Sequence, residues 1–251
     1  MKVIILAAGQ GSRLGSLTKD KPKCLMELNG KSILEYQLEL FNRKKISDVI
    51  IITGYKQEKI TENGVIKLYN SNYKESNMVA SLFCAENYFN DDLIISYGDI
   101  IYSRSVFEKL LASNNTVSVI VDLSWEKLWN MRMNNIINDI ESMKIENNKI
   151  VDLGKKVDDL SHVDGQYIGL IKIKRTFLNE FTAFYHSLNR SREYAGNSFD
   201  NMYMTTLIQL IIDHYNNVTP VFINGGWLEI DTVSDLSIYE NSNYIKKVIK
   251  N

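Results

Sequence analysis

Short runs of β-branched and aliphatic residues alternate along the chain with longer stretches whose apolar positions recur at helical spacing. Val3 to Ala7, Val49 to Thr53, Val65 to Tyr69, Leu93 to Tyr97 and Thr116 to Asp122 are almost continuously apolar and too short for helices. They predict strands buried on both faces of a mostly parallel sheet. Ser32 to Arg43 carries Ile33, Leu34, Gln37, Leu38 and Phe41 near helical spacing, behind a serine whose hydroxyl can cap the first turn. Met78 to Asn87 and Ser105 to Ser113 predict two more helices. Strands alternating with crossover helices define a doubly wound α/β fold.

The rhythm changes after residue 122. SWEKLWNMRMNNIINDIE is dense in Trp, Met and Asn, and KIENNKIVDLG reads as a hairpin turning at Asn147 and Asn148. This part predicts a small insertion that carries specificity. Strand and helix return with Gly165 to Ile173, Phe177 to Leu188, Met202 to Tyr215 and Val221 to Ile223, and a closing helix is expected from about Val233. The 251 residues show no internal repeat and no linker-like tract, so one domain over 1–251 is expected, in parts 1–122, 123–232 and 233–251.

Composition narrows the function classes. With 45% hydrophobic residues, 24% charged residues and a formal net charge of -1, the chain has no overall field for nucleic acid or an anionic membrane. Cys24 and Cys84 lack metal-ligand spacing and are too few for a disulfide framework, which suits a reducing compartment. No apolar run reaches the roughly 18 residues of a membrane span, and no secretory leader is apparent, so a cytoplasmic protein is expected. His162, His186 and His214 are scattered without a partnered nucleophile, which argues against covalent catalysis.

The opening MKVIILAAGQGSRLGSLTKDKPKCL places a glycine-rich turn and two separated cations directly after the first strand. Gly9, Gln10, Gly11 and Ser12 let backbone amides approach a polyanion without side-chain obstruction. A dinucleotide-binding fingerprint, and with it a nicotinamide-dependent oxidoreductase, is disfavoured because the third glycine is Gly15 and Pro22 and Gly30 interrupt the segment that follows. A P-loop is disfavoured because Leu25 stands where the glycine before Gly30, Lys31 and Ser32 would be needed.

The whole string, Leu6, Ala7, Ala8, Gly9, Gly11, Arg13, Leu14, then Thr18, Pro22, Lys23 and Leu25, resembles the signature of nucleotidyltransferases that join a nucleoside monophosphate to a phosphorylated small molecule. The resemblance implies a Rossmann-like fold of the nucleotide-sugar transferase type, with residues 1–122 as the nucleotide-binding half, 123–232 as the acceptor-binding half and 233–251 as a C-terminal helix. Such a reaction brings anions together and expels pyrophosphate, so positioning and charge neutralisation dominate catalysis. Arg13 offers a planar fork for the leaving phosphates, and Lys23 a compact charge near the α-phosphate. The G-D pair ending at Asp99 and the segment W-L-E-I-D-T-V-S-D-L containing Asp231 resemble family segments whose aspartates hold magnesium, so Asp99 and Asp231 are implied Mg2+ ligands. Glu229 is expected to share the cleft of Asp231 only indirectly, and Asp235 to cap the last helix. NSNYKESNMVASLF resembles the stretch with which choline-phosphate enzymes approach the base, making Asn77 and Ser81 candidates for base or ribose contacts, with helix capping an equal role for Asn77.

SWEKLW, LGKK, QYIGL, NMYMTT and WLEID together resemble the cytidylyltransferases that serve surface-polysaccharide decoration. This implies CTP as nucleotide substrate and phosphoglutamine as the first acceptor, with phosphocholine, 2-aminoethylphosphonate or a sugar 1-phosphate as alternatives. Trp125, Trp129 and Arg132 fall at spacings of four and three, so one helix face would show an ammonium two aromatic plates and an acidic group a cation. Both tryptophans would equally serve a core. Lys155 and Lys156 would receive the acceptor phosphate or stand in solvent, and Asp139 and Glu141 would meet an amine or solvate a turn. A homodimer stays open, as does a catalytically silent nucleotide sensor.

Overall fold

The computed structural model describes residues 1–41, 45–242 and 244–250. The first half runs β1 (Lys2–Ala7), β2 (Glu27–Leu28), β3 (Lys31–Ser32), α1 (Ile33–Leu40), β4 (Asp48–Thr53), β5 (Ile66–Tyr69), α2 (Met78–Phe83), β6 (Leu93–Tyr97), β7 (Ile100–Tyr102), α3 (Arg104–Ala112) and β8 (Val117–Asp122). The second runs α4 (Trp125–Arg132), β9 (Glu141–Glu146), β10 (Lys149–Lys156), β11 (Gln166–Ile173), α5 (Leu178–Ser187), α6 (Met204–Tyr215), β12 (Val218–Ile223), β13 (Trp227–Glu229), α7 (Val233–Asn241) and α8 (Tyr244–Lys250).

Seven strands form the central sheet in the order β12-β8-β11-β6-β1-β4-β5. Every pairing is parallel except those of β11, which runs antiparallel to both β6 and β8. The fold is therefore the mixed, mostly parallel α/β sheet that the apolar runs predict. Alternate residues of β1 explain why those runs lack polar positions: Val3, Ile5 and Ala7 enter one core with α1, α3 and α4, while Ile4 and Leu6 enter the other with α2, α5 and α6.

Local chemistry sets the element ends. Ser32 and Glu35 form a reciprocal capping box at α1, with Ser32 Oγ accepting from the Glu35 amide at 3.1 Å and the Glu35 carboxylate accepting from the Ser32 amide at 2.7 Å. The expected end of this helix at Arg43 lies outside the described residues. The hairpin β9–β10 turns at Asn147 (φ 48°) and Asn148 (φ 60°), left-handed values that a tight hairpin turn requires and asparagine tolerates.

Three expected elements differ. The helix expected over Met78 to Asn87 stops at Phe83, whose ring stacks on Tyr185 at 3.5 Å, and a separate 3-10 turn follows at Glu86–Tyr88. The last sheet strand begins at Val218 rather than Val221. It is an edge strand, where the missing N–H of Pro220 breaks no ladder. The single closing helix is two, α7 and α8.

Candidate active site

The site forms beyond the carboxyl ends of β1 and β6, where an open α/β sheet offers a crevice. After β1 the chain turns through Gly9 and Gly11; Gly11 has φ 75°, and a Cβ there would come within 2.9 Å of the Lys23 side chain. After β6, Gly98 donates its N–H to Leu6 O at 3.0 Å, and a Cβ there would meet that oxygen at 2.6 Å. Only glycine lets the two strand ends approach this closely. The short antiparallel pair β7–β13 then sets Glu229 opposite Ile100, and Ile230 donates to Asp99 O at 3.0 Å. That pairing brings Asp231 beside Asp99.

Four of the candidate residues converge. Lys23 Nζ lies 2.7 Å from Asp99 Oδ2 and also contacts Asp231 Oδ1, while Arg13 Nη2 pairs with Asp231 Oδ2 at 2.8 Å. Burial alone would lower the Lys23 pKa, but the charges of Asp99 and Asp231 outweigh it and hold the ammonium above its ordinary value. Glu229 joins them: one oxygen each of Asp99, Glu229 and Asp231 lies within 4.8 Å of the others. The expectation that Glu229 meets this cleft only indirectly is corrected here, because extended residues two apart share a face and 229 and 231 both point inward. Burial, then the charges of Asp231 and Asp99, push the Glu229 carboxyl up to about 8, against the pull of its 3.1 Å ion pair with Arg132.

This donor set fits a divalent cation. Its ligands are all oxygens, the preference of hard metal ions, and Asp99 Oδ1 is buried without a hydrogen-bond partner. Two hollows flank the carboxylates, with Met78 and Tyr97 lining both. The first is lined by Leu6, Ala7, Ala8 and Gly9 together with Asn77 and Ser81. Asn77 has both roles open to it, since its Oδ1 accepts from the Met78 amide at 2.8 Å as the cap of α2 while the residue borders the hollow. Buried Ser81 accepts from Asn70 Nδ2 at 3.0 Å. Gln10 and Ser12 stand exposed on the loop.

The second hollow holds Trp129, Asp139, Glu141, Tyr167 and Trp227, and reaches Glu229 and Asp231. Trp129 donates Nε1–H to Asp139 Oδ2 at 3.1 Å. Arg132 and Trp125 depart from the expected acceptor face. The Arg132 guanidinium is wholly buried, bonding Asp235 through Nε at 3.0 Å and Glu229 through Nη1 at 3.1 Å, so it has no free face for a ligand. Trp125 packs edge-on against Trp129, ring centroids 5.9 Å apart, and does not line the hollow. Lys156 stands exposed at the end of β10, away from the lining of either hollow. Asp235 caps α7 in a box with Thr232, as its position suggests. Spacing gave no hint of Tyr97, Tyr167 or Trp227, which reach the site from separate strands.

A glycine turn at a strand end, two cations and three carboxylates facing two hollows make up the candidate site. Residues 3–133 match the model of the MobA-like NTP transferase domain. The chain is 41% identical to the CTP:phosphoglutamine cytidylyltransferase of Campylobacter jejuni over 95% of its own length and 98% of that protein. It is 34% identical to the choline-phosphate cytidylyltransferase of Streptococcus pneumoniae over 47% of this chain and 53% of the other. Among solved structures, the inositol-1-phosphate CTP transferase from T. maritima aligns with TM-score 0.73 and 20% identity over 99% of this chain and 97% of that one, a likeness of fold. The protein belongs to the MobA-like NTP transferase family and is a nucleotidyltransferase.

Proposed function

We propose that the protein transfers CMP from CTP to a small phosphorylated acceptor, phosphoglutamine first among them, and releases pyrophosphate. The observation that carries the transfer is the meeting of Arg13, Lys23, Asp99 and Asp231 from four separate segments at the end of β1. The choice of CTP and phosphoglutamine rests on the similarity to the Campylobacter jejuni enzyme. The product would be an activated group for a surface polysaccharide such as a capsule, made in the cytoplasm.

In this reading an oxygen of the acceptor phosphate attacks the α-phosphorus while the bond to the bridging oxygen breaks and its electron pair leaves on pyrophosphate. No protein nucleophile is used. His186 pairs with Glu86 and the His214 ring lies tilted against Phe184, centroids 5.1 Å apart, and neither lines either hollow. Arg13, already largely exposed, turns to the leaving phosphates, and Lys23 meets charge developing around the α-phosphate. Asp99 and Asp231, with Glu229 beside them, would hold Mg2+, which when bound neutralises phosphate oxygens. The backbone from Leu6 to Gly11 would carry the nucleotide, and Asn77 and Ser81 would border its base or ribose.

The test is pyrophosphate release from CTP and Mg2+ with phosphoglutamine, phosphocholine and 2-aminoethylphosphonate compared directly. Release with phosphoglutamine alone supports the full reading. Release with another acceptor changes the substrate, and none with any acceptor or base overturns the transfer.

A further inference from the structure

One buried residue of α1 breaks the apolar pattern of its face. Ile33, Leu34 and Gln37 are all sealed from solvent, and Gln37 alone among them carries an amide. Gln37 Nε2 donates to Tyr97 O at 2.8 Å and to Ile100 O at 2.7 Å, while its Oε1 accepts from Ser96 Oγ at 3.0 Å. The Ser96 hydroxyl is itself buried and lies 3.2 Å from the Tyr102 hydroxyl. The amide cannot be turned over, because Oε1 would then face two carbonyl oxygens. With both N–H donors and the oxygen engaged, it admits a single arrangement.

Where those bonds fall matters more than their number. Tyr97 ends β6 and Ile100 begins β7, so the two carbonyls bracket the Gly98–Asp99 turn that carries one carboxylate of the cluster. The Asp99 side chain has little else to aim it. Its Oδ2 accepts from Lys23 Nζ, and its Oδ1 is buried without a hydrogen-bond partner among the described residues. Once nucleotide phosphates draw Lys23 away, the backbone sets the direction of Asp99, and Gln37 holds that backbone on both sides of it. The facing wall has its own clamp, since Arg132 bonds Glu229 and Asp235 on either side of Asp231.

We infer that Gln37 is a positioning residue: its amide holds the Gly98–Asp99 turn so that the Asp99 carboxylate stays aimed at the Mg2+ position after Lys23 has left it. The inference rests on the reading above in which Asp99 holds Mg2+. It goes further by placing control of that carboxylate on α1, a helix that lines neither hollow. Gln37→Met separates this role from packing, because methionine keeps the length of the side chain and removes both donors and the acceptor.

Mn2+ is the probe, titrated into the full-length protein with a non-hydrolysable CTP analogue and read by electron paramagnetic resonance against the analogue alone. In Gln37→Met the Mn2+ affinity is expected to fall about ten-fold or more, the scale for losing a group that orients a metal ligand. The Mg2+ concentration for half-maximal pyrophosphate release should rise by a similar factor. Leu34→Ala is the comparison, because it loosens the packing of the same helix and leaves the Gln37 amide in place. Its Mn2+ affinity is expected to stay within about two-fold of the unaltered protein, with thermal unfolding showing how far each variant is weakened. An unchanged Mn2+ affinity in Gln37→Met overturns the inference, and so does an equal loss in Leu34→Ala, which would make the effect one of packing. If Gln37→Met does not fold, Ser96→Ala decides: it removes only the partner of Oε1 and is expected to weaken Mn2+ about three-fold, no change again overturning the inference. The two readings fail separately. Mn2+ held tightly by the unaltered protein and weakly by Gln37→Met, with no pyrophosphate from any acceptor, refutes the transfer alone. Normal release with equal Mn2+ binding by both proteins refutes the positioning alone.

Discussion

Lys23 and Asp99 are 76 residues apart in the chain, yet Lys23 Nζ lies 2.7 Å from Asp99 Oδ2 and on its other side touches Asp231. The ammonium thus occupies the space between the two carboxylates best placed to hold a divalent ion. A cation entering that space must displace Lys23, which is favourable only when another anion takes the lysine. The nucleotide phosphates are that anion. Mn2+ is therefore predicted to bind the protein weakly alone and at least ten-fold more tightly with CTP present, as read by electron paramagnetic resonance of the free ion. Lys23→Ala should bind Mn2+ without CTP and turn over slowly. Tight Mn2+ binding by the unaltered protein without nucleotide would show that the lysine does not guard the site.

Asp99→Asn and Asp231→Asn separate charge from shape, because asparagine keeps the size of the side chain and one acceptor oxygen. Each is predicted to lower pyrophosphate release by about 10²-fold or more, the usual scale for removing one group that stabilises transition-state charge. The fold should persist, since neither residue is part of a sheet ladder. Thermal unfolding measured beside turnover distinguishes the cases: activity retained in either variant removes that residue from the reaction, and a collapse in stability makes its role architectural.

Away from the cleft, Asp92 ties the start of β6 to the end of β11, accepting from Lys174 Nζ at 2.7 Å and from the Arg175 amide at 2.9 Å. Burial alone would raise its pKa, but the Arg175 amide and Lys174 outweigh it and hold the carboxyl below its ordinary 3.8. The unfolded chain then binds the proton more readily than the folded one. The stabilisation is complete above 3.8 and lost as pH falls through the lower folded value. Asp92→Asn is predicted to cost about 1.5–3 kcal/mol near neutral pH, the range of charged hydrogen bonds, and little once the carboxyl is protonated in both states. Urea unfolding at neutral and strongly acid pH measures this. An equal loss at both would mean that charge contributes nothing.

Central strands such as β1 were legible because burial on both faces keeps them almost wholly apolar, and Leu93–Tyr97 ends where the apolar run does, whereas the edge strand β5 is not buried on both faces as expected and leaves Lys67 and Tyr69 exposed. The nucleotide loop was legible because glycines and cations at fixed offsets have few other uses. Glu229 was undervalued for a different reason. Its contact with Asp99 depends on β7 pairing with β13 across more than a hundred residues, and no local pattern announces such a pairing. The Trp125, Trp129 and Arg132 spacing did report a shared neighbourhood, for Arg132 lies over the Trp129 ring at 5.7 Å. Spacing cannot say which side of that neighbourhood faces a ligand.

Arg132 carries the last prediction because its two readings diverge in what they would lose. If the guanidinium gripped an acceptor, truncation would weaken acceptor binding and spare the fold. It is instead sealed from solvent, bonding Asp235 at 3.0 and 3.3 Å and Glu229 at 3.1 Å, and so clamps β13 to the start of α7 on either side of Asp231. Removing one partner of a buried ion pair strands the others without a counter-charge, at a cost of about 3–5 kcal/mol. Arg132→Ala is predicted to lose that much stability, and Arg132→Lys to recover only part, since an ammonium cannot reproduce the planar fork that serves both acids. In Arg132→Lys turnover should fall more than the acceptor KM rises, because the displaced group is Asp231 and not the acceptor. A rise in KM with kcat and stability unchanged would return Arg132 to the acceptor pocket.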